Sequence, residues 1–345
     1  MRTVFLVGNG FDMAAGLDTK PATFINYFLA KAERLPEEDP AHTLAKSIQI
    51  DGVNAWSNYE LMLGQHAVDF AKEDEGAFLE QVDALTEQLG FWLEEKEKLI
   101  SNDFVEQNAK KCLTSMATFP SYLPVLRREM IQNLRNSRSN EDWHFDLICF
   151  NYTDLLFRMY QKMDGEGSIL HNLNSGRKCL LGRYYQVHGN LRDQRIICGV
   201  DNSTQIANTA FAESEMVNRT LVKSAAISEV VGDNTDKLAL KAINRADIIC
   251  IFGMSFGLTD ARWWKQVRKR LSENSSSLLV LFSYDLASNL SPYRMHQQDL
   301  VVRGVMDQFF NSCGDEKHPT ELTDRIIVAQ SSLVFPFASM LVEQG

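Results

Sequence analysis

The chain has 345 residues, of which 45% are hydrophobic and 23% charged, a composition typical of a soluble globular protein. Its formal net charge is −10, so a broad surface for nucleic acids or anionic membranes is not expected. The first residues lack the pattern of a secretory signal, and no apolar stretch is long enough to cross a bilayer. We therefore expect a cytoplasmic protein that has no membrane partner.

Seven short apolar runs rich in valine, isoleucine and phenylalanine predict strands. In chain order they are TVFLV, FDLICF, YYQVHG, RIICGV, ADIICIF, SLLVLF and RIIVAQ. Each run is nearly continuously apolar, as expected for strands that helices cover on both faces, and helix-period segments such as DLLFRMYQKM lie between them. This alternation predicts an α/β fold: a Rossmann-like, mostly parallel sheet flanked by helices.

Residues 21–142 interrupt the alternation. Only amphipathic helical patterns occur there, of which GAFLEQVDALTEQLGFWLEEKEKLISNDF is the longest. A second helical stretch covers residues 213–245. Because the chain contains no repeat and no low-complexity linker, we predict a single composite domain over residues 1–345, with residues 21–142 as a large helical insertion after the first strand.

The six cysteines are widely spaced and include no CxxC pair. Three of them, Cys149, Cys198 and Cys250, lie within apolar strand-like runs, where a thiol acts as a small hydrophobic group. We therefore expect free thiols in a reducing compartment, without a disulfide framework and without a metal site.

The residues that follow each strand are the candidates for a site, because ligands of open α/β sheets bind beyond the carboxyl ends of the strands. GNGFD follows the first strand, and Gly8 and Gly10 permit a close approach of the backbone to a ligand. The N–H groups from Asn9 to Phe11 suit a pyrophosphate, and Asp12 is placed to bind a ribose or to order the loop. Since the full GxGxxG spacing is not met, a plain turn explains these glycines equally well.

NYTD and HGN follow two further strands. The amide of Asn151 stands at a strand tip, where it can both donate and accept hydrogen bonds. Thr153 and Asp154 also fit as caps of the next helix, and we include Asp154 in the nucleotide-binding set. His188 is placed for proton transfer near neutral pH, and Gly189 predicts a turn that exposes its ring. A structural role for an isolated histidine stays open.

Two later loops complete the candidate set. RIICGVDN ends a predicted strand with Asp201, and GMSFGLTD supplies Gly253, Ser255 and Asp260. The Ser255 hydroxyl suits a phosphate or a ribose, whereas Asp260 also fits as a helix cap. GMSFG matches the GxSxG spacing of serine hydrolases, but the later histidines follow no clear strand, which disfavours that chemistry.

These pieces together resemble the AbiH family of bacteriophage abortive-infection proteins. The matching pieces are LVGNGFDMAAGLDT, WSNYE, FNYTD, VHG, CGVDN and IFGMSFGLTD, which occur in the family's order across residues 6–260. AbiH proteins are in turn similar to sirtuins, which have a Rossmann-like NAD-binding domain. The resemblance implies that GNGFD corresponds to the sirtuin glycine loop. It also implies that Asn151 and His188 are catalytic and that Gly253 and Ser255 form the late glycine–serine loop.

The resemblance implies an antiphage protein that hydrolyses NAD to nicotinamide and ADP-ribose. NAD is then the substrate, no cofactor is tightly bound, and a second copy of the chain or another defence protein is an expected partner. The chain departs from its relatives at Met254, where AbiH proteins often have histidine, and it lacks the paired-cysteine zinc module of deacetylating sirtuins. The alternative is a nucleotide-binding sensor or interaction module without turnover. An RNA-directed toxin is disfavoured by the acidic charge balance.

Overall fold

The computed structural model describes residues 1–230, 234–284, 294–315 and 319–337. The strands are β1 Arg2–Val7, β2 Trp143–Cys149, β3 Ile169–Asn172, β4 Lys178–Gln186, β5 Gly189–Asn190, β6 Arg195–Ile196, β7 Ile248–Phe252, β8 Leu278–Ser283 and β9 Ile326–Gln330. Seven of them form one sheet in the order β3-β4-β2-β1-β7-β8-β9, and β5 pairs with β6 separately. Among the described strands of the large sheet, only β3 runs antiparallel to its neighbour.

Helices flank the sheet. Those before β2 are α1 Gly10–Ala14, α2 Pro21–Ala32, α3 Pro40–Asp51, α4 Tyr59–His66, α5 Glu75–Glu97, α6 Asn102–Ala117 and α7 Val125–Ser137. Those after β2 are α8 Leu155–Lys162, α9 Thr209–Glu213, α10 Glu215–Leu221, α11 Lys223–Val230, α12 Thr235–Arg245, α13 Ala261–Glu273, α14 Met295–Cys313 and α15 Thr320–Thr323. No described helix combines the length and apolar character that a membrane span requires.

Residues 21–142 contain helices and no strand, as predicted. The predicted extent of one helix in this region is wrong, because the longest helical stretch of the sequence forms two separate helices, α5 and α6. Ser101 begins the second of these helices: its hydroxyl accepts a hydrogen bond of 3.0 Å from the N–H of Phe104. This is a typical N-terminal cap, which the apolar periodicity alone does not reveal.

The apolar runs predicted most of the sheet. TVFLV, FDLICF, ADIICIF, SLLVLF and RIIVAQ are confirmed as β1, β2, β7, β8 and β9, and YYQVHG contains the end of β4. RIICGV is wrong as a strand of the large sheet, because only Arg195–Ile196 are extended and they pair with Gly189–Asn190. The edge strand β3 was not predicted, since three of its four side chains are exposed and leave no apolar run in the sequence.

Apolar layers on both faces of the sheet explain why its central strands are continuously apolar. Alternate residues of β1 point to opposite faces, so Phe5 belongs to one apolar cluster and Leu6 to the other. A third cluster joins α2, α3 and α5 to residues 191–222. All six cysteines are free and buried, in agreement with the expectation of free thiols.

The order of the parallel strands reverses at β1. Strands β2 and β4 lie on one side of β1, whereas β7, β8 and β9 lie on the other. Strands β1 and β7 are neighbours, so the loops that follow them begin at the same edge of the sheet. From there the chain leads from β1 towards β2 in one direction and from β7 towards β8 in the other. Because β1, β2, β4 and β7 are parallel, the residues that follow all four lie along one edge.

The glycines after β1 are required by a contact with the loop after β7. The Gly10 N–H donates to the Gly253 carbonyl at 2.9 Å, and the Gly8 N–H donates to the Phe252 carbonyl at 2.9 Å. A Cβ atom on Gly10 would lie 2.4 Å from the Gly253 Cα, and Gly253 itself has a φ of +68°. The two backbones meet with no side chain between them, so these glycines have a structural role whatever ligand binds nearby.

We expect Gly10→Ala to lower the free energy of unfolding by about 1–3 kcal/mol, because the new methyl group meets backbone atoms that cannot rotate away. Gly304→Ala is the matched control. Gly304 lies within α14, where an added Cβ meets no atom within 4 Å, so helix propensity predicts a gain of up to about 1 kcal/mol. Urea denaturation measures both values, and a Gly10→Ala variant as stable as the wild type would contradict the close contact.

Candidate functional site

A cavity of about 480 Å³ opens at the edge where β1, β2, β4 and β7 end. The predicted site residues that line it are Gly8, Asn9, Asp12, Asn151, His188, Gly253, Ser255 and Asp260. Helices α2, α4 and α5 supply a further part of the wall, including the aromatic side chains of Phe24, Tyr59 and Trp92, and the strand-end loops add residues such as Phe150, Tyr152 and Met254. The volume is within the range of small-molecule sites, which is about 300–1,000 Å³.

Gly10 and Phe11 do not line the cavity. Gly10 packs against Gly253, and the Phe11 ring is fully buried in an edge-on contact with Phe335, at a centroid distance of 5.1 Å. The Phe11 N–H donates to the Gly8 carbonyl at 2.9 Å. The N–H groups of Gly10 and Phe11 therefore satisfy backbone carbonyls, rather than being left for a pyrophosphate as expected from the sequence.

Asp154 and Asp201 also lie outside the cavity lining. The Asp154 N–H donates to the Glu97 carboxylate, its own carboxylate lies 3.8 Å from Arg192, and burial raises its pKa. The Asp201 carboxylate accepts a hydrogen bond of 3.3 Å from the Arg262 N–H in the first turn of α13. Both acids thus form contacts with protein groups. Their positions after predicted strands did not indicate these contacts.

Asp12 connects the first loop to the loop after β2. The Asn151 amide nitrogen donates to Asp12 Oδ1 at 3.0 Å, and the Thr153 hydroxyl donates to Oδ2 at 2.7 Å. Burial raises the pKa of the Asp12 carboxyl from its ordinary 3.8 to about 7, although both hydrogen bonds act in the opposite direction. Asn151 is 5% exposed, and its Oδ1 has no hydrogen-bond partner among the described residues. The amide is thus oriented by its nitrogen, while its oxygen has no hydrogen-bond partner among the described residues.

His188 lines the cavity but is buried, with an exposed fraction of 4%, so the prediction of an exposed ring is wrong. The Phe150 ring packs edge-on against it at a centroid distance of 5.2 Å. The predicted turn is present, since Gly189 has a φ of +75°. Nε2 of His188 lies 3.1 Å from Asp260 Oδ1 but makes no well-directed hydrogen bond to any described residue. The imidazole therefore lies beside a carboxylate and retains hydrogen-bonding capacity.

A buried lysine connects two acids of the cavity wall. Lys223 is 1% exposed, and its Nζ donates to Glu60 Oε2 at 2.9 Å and to Asp260 Oδ1 at 3.1 Å. Burial alone would lower the pKa of Lys223, but Asp260 and Glu60 outweigh it and raise this pKa. Burial alone would likewise raise the pKa of Asp260, but Lys223 and His188 bring it well below its ordinary value. The three side chains form an ionised cluster that joins α4, α11 and the loop after β7.

Two hydroxyl groups also lie within hydrogen-bonding distance of the Glu60 carboxylate. The Thr259 hydroxyl donates to Oε2 at 3.0 Å, and the Tyr152 hydroxyl lies 3.1 Å from both Oε1 and the Ile197 carbonyl, which share its single proton. Burial raises the pKa of Tyr152 well above its ordinary value. Glu60 is therefore fixed by donors from three separate segments of the chain.

Sequence analysis missed part of this cluster. Glu60 lies in the WSNYE motif but received no role, and Lys223 gives no signal because it is a single lysine in a short helix. In the sequence, Thr153 and Asp260 were both possible helix caps. In the structure Thr153 bonds Asp12, and Asp260 makes no capping hydrogen bond although it occupies the N-cap position of α13. Among the described residues, no group of three or more histidine, cysteine or acidic side chains is arranged to hold a metal ion.

We expect the Asp12 carboxyl to make folding stability dependent on pH. Its pKa is raised in the folded chain, so the folded state binds the proton more tightly than the unfolded state does. The free energy of unfolding therefore falls as the pH rises from about 4 to about 7, by up to roughly 4 kcal/mol from this group. Asp12→Asn should remove that fall.

Urea denaturation at several pH values between 4.5 and 7.5 measures this effect. The matched control is Asp103→Asn, which changes an exposed aspartate on α6 and should keep the pH dependence of the wild type. If Asp12→Asn and Asp103→Asn showed the same pH dependence, the proton would not be bound at Asp12.

A family model described as bacteriophage abortive infection AbiH matches residues 4–282 of the chain. The matched range begins in β1 and ends in β8, so it includes the loops after β1, β2, β4 and β7 that line the cavity. No curated protein matches the chain.

Proposed function

The chain belongs to the AbiH family of bacteriophage abortive-infection proteins, and we propose that it acts in phage defence by hydrolysing NAD to nicotinamide and ADP-ribose at a sirtuin-like site. One observation carries this proposal. The Asn151 amide and the His188 imidazole, 37 positions apart in the sequence, line one cavity together with Gly8 of the first loop. This is the set of groups that the resemblance to sirtuins assigns to NAD chemistry.

The strand order supports the same proposal. Numbered among themselves along the chain, the six parallel strands of the sheet have the spatial order 3-2-1-4-5-6, which is that of dinucleotide-binding Rossmann folds. In such folds the ligand lies where the strand order reverses, and here the cavity lies at that position. We therefore infer a Rossmann-like composite domain in which residues 21–142 are a helical insertion that supplies one wall of the site.

The chemistry requires groups that stabilise positive charge and accept a proton. Water attacks C1′ of the nicotinamide ribose, the bond from C1′ to the ring nitrogen breaks, and nicotinamide leaves as a neutral molecule. The unpaired Oδ1 of Asn151 would accept a hydrogen bond from that water or from a ribose hydroxyl. His188 would take the proton that the water loses, and Asp260, 3.1 Å from Nε2, would stabilise the resulting imidazolium.

A nucleotide sensor without turnover is the second candidate, and two observations favour it. Met254 lines the cavity where relatives often have histidine, so this chain has no titratable side chain at that position. The N–H groups of Gly10 and Phe11 are bonded to carbonyls, which leaves fewer donors for a pyrophosphate. A sensor would bind NAD or ADP-ribose saturably and release no product.

We expect the purified protein to release nicotinamide from NAD, either alone or after addition of an extract from phage-infected cells. His188→Ala should lower the rate about 10²–10⁴-fold, because it removes the proton acceptor. Asn151→Ala should lower it at least about tenfold, and the double variant should be inactive. Chromatographic measurement of nicotinamide and ADP-ribose follows the reaction.

The matched control is His296→Ala, which changes an exposed histidine on α14 and should leave the rate unchanged. Full activity of the Asn151→Ala/His188→Ala double variant would refute the assignment of the site. NAD binding by the wild type without any nicotinamide release, with and without the extract, would favour the sensor.

A further inference from the structure

A second cavity, of about 310 Å³, lies at the edge of the sheet opposite to the candidate site. Its lining includes Trp143, the first residue of β2, together with the last turn of α7 and the turn that joins β3 to β4. Because it lies where β2 begins, we call it the amino-edge cavity. Its volume is at the lower end of the range of small-molecule sites, about 300–1,000 Å³, and it shares no lining residue with the candidate site.

Arg135 supplies a positive charge to this cavity that no carboxylate of the described residues neutralises. Its guanidinium lies over the Trp143 ring, with Cζ 5.3 Å from the ring centroid. The ion pairs of the cavity lining involve other groups. Stacking covers one face of a guanidinium but leaves the N–H groups at its edge free to bind an oxyanion through two hydrogen bonds.

The ring beneath Arg135 is held firmly in place. Trp143 is 1% exposed, its Nε1 donates to the Thr3 hydroxyl at 2.7 Å, and its ring lies 4.7 Å from that of Phe145. Since the tryptophan cannot move, the surface on which the guanidinium rests is already formed before a ligand binds. Such preorganisation lowers the entropic cost of binding.

The other charged groups near the cavity are already paired. The Glu141 carboxylate lies 2.6 Å from the amino group of Met1 and 3.5 Å from Arg138. Arg138 also lies 3.0 Å from Asp247. Three cationic groups, including Arg135, therefore accompany two carboxylates, which leaves one net positive charge. In a chain whose formal net charge is −10, this local excess favours an anion as the ligand.

Neutral hydrogen-bond donors line the same cavity. Asn174 and Ser175 lie in the turn between β3 and β4, and their N–H groups donate to no backbone carbonyl among the described residues. Asn136 accepts a hydrogen bond of 3.0 Å from Gln132 through Oδ1, which leaves its Nδ2 as a donor. An arginine fork together with the N–H groups of a turn is a donor set that suits a tetrahedral oxyanion such as phosphate.

We propose that the amino-edge cavity binds a phosphate monoester of a small polar molecule, whose phosphate is held by the Arg135 guanidinium and by the N–H groups of Asn174 and Ser175. The volume of the cavity leaves room for a small organic group beside the phosphate. This binding site is separate from the candidate site at the other edge of the sheet and does not depend on NAD hydrolysis.

Calorimetric titration with glycerol 3-phosphate, glycerol and inorganic phosphate tests the proposal. We expect glycerol 3-phosphate to bind the wild type with a millimolar dissociation constant or a lower one, glycerol not to bind, and inorganic phosphate to bind more weakly than the ester. No binding of glycerol 3-phosphate, or binding of inorganic phosphate as tight as that of the ester, would overturn the assignment of a phosphate monoester.

Arg135→Gln tests whether the guanidinium holds the phosphate. It removes a charged donor, so affinity for glycerol 3-phosphate should fall about 10- to 100-fold. Arg34→Gln is the matched control, because Arg34 is exposed just after the last turn of α2 and lines neither cavity. This control should bind glycerol 3-phosphate as the wild type does.

Asn136→Asp provides a second test that does not remove the contact between Arg135 and Trp143. Asn136 is exposed, so the substitution should leave the fold intact while it places a carboxylate in the cavity. Repulsion of the phosphate should then lower the affinity for glycerol 3-phosphate at least about tenfold. Wild-type affinity in either variant, when that variant is folded, would overturn the proposal, and Arg135 would then only pack on Trp143 and stabilise the end of α7.

Discussion

The site depends on the direct contact between the backbones of Gly10 and Gly253. This contact holds together the loops after β1 and β7, which leave neighbouring strands and lead to opposite sides of the sheet. Any side chain between them would separate the loops. Because the floor of the cavity consists of these loops, its shape follows from a packing constraint that is satisfied before any ligand binds.

Buried polar contacts then bring distant segments to this floor. Asp12 accepts hydrogen bonds from Asn151 and Thr153, and Lys223 joins Glu60 to Asp260. Each contact links residues that are at least 37 positions apart in the sequence. Such networks are costly when only partly satisfied, so their geometry has little freedom. They fix the position of the side chains that line the cavity, whereas the apolar core fixes the position of the strands.

Apolar packing and buried polar contacts differ in how far they can be predicted from the sequence. Continuously apolar runs identify strands that are covered on both faces, and strand ends identified Asn151 and His188 as residues that share a cavity. The edge strand β3 and the buried Lys223 leave no periodic pattern. The glycines near residue 10 were ambiguous, since a turn, a ligand and a second backbone all require the same residue type.

The polar groups that line the cavity reduce the stability of the free protein. The Asp12 carboxyl is buried strongly enough to raise its pKa to about 7, and Asn151 Oδ1 has no partner among the described residues. A core selected for stability alone would replace such groups with apolar ones. A polar ligand that donated a hydrogen bond to Asn151 Oδ1 would supply the missing partner, and its binding would then stabilise the folded chain by mass action.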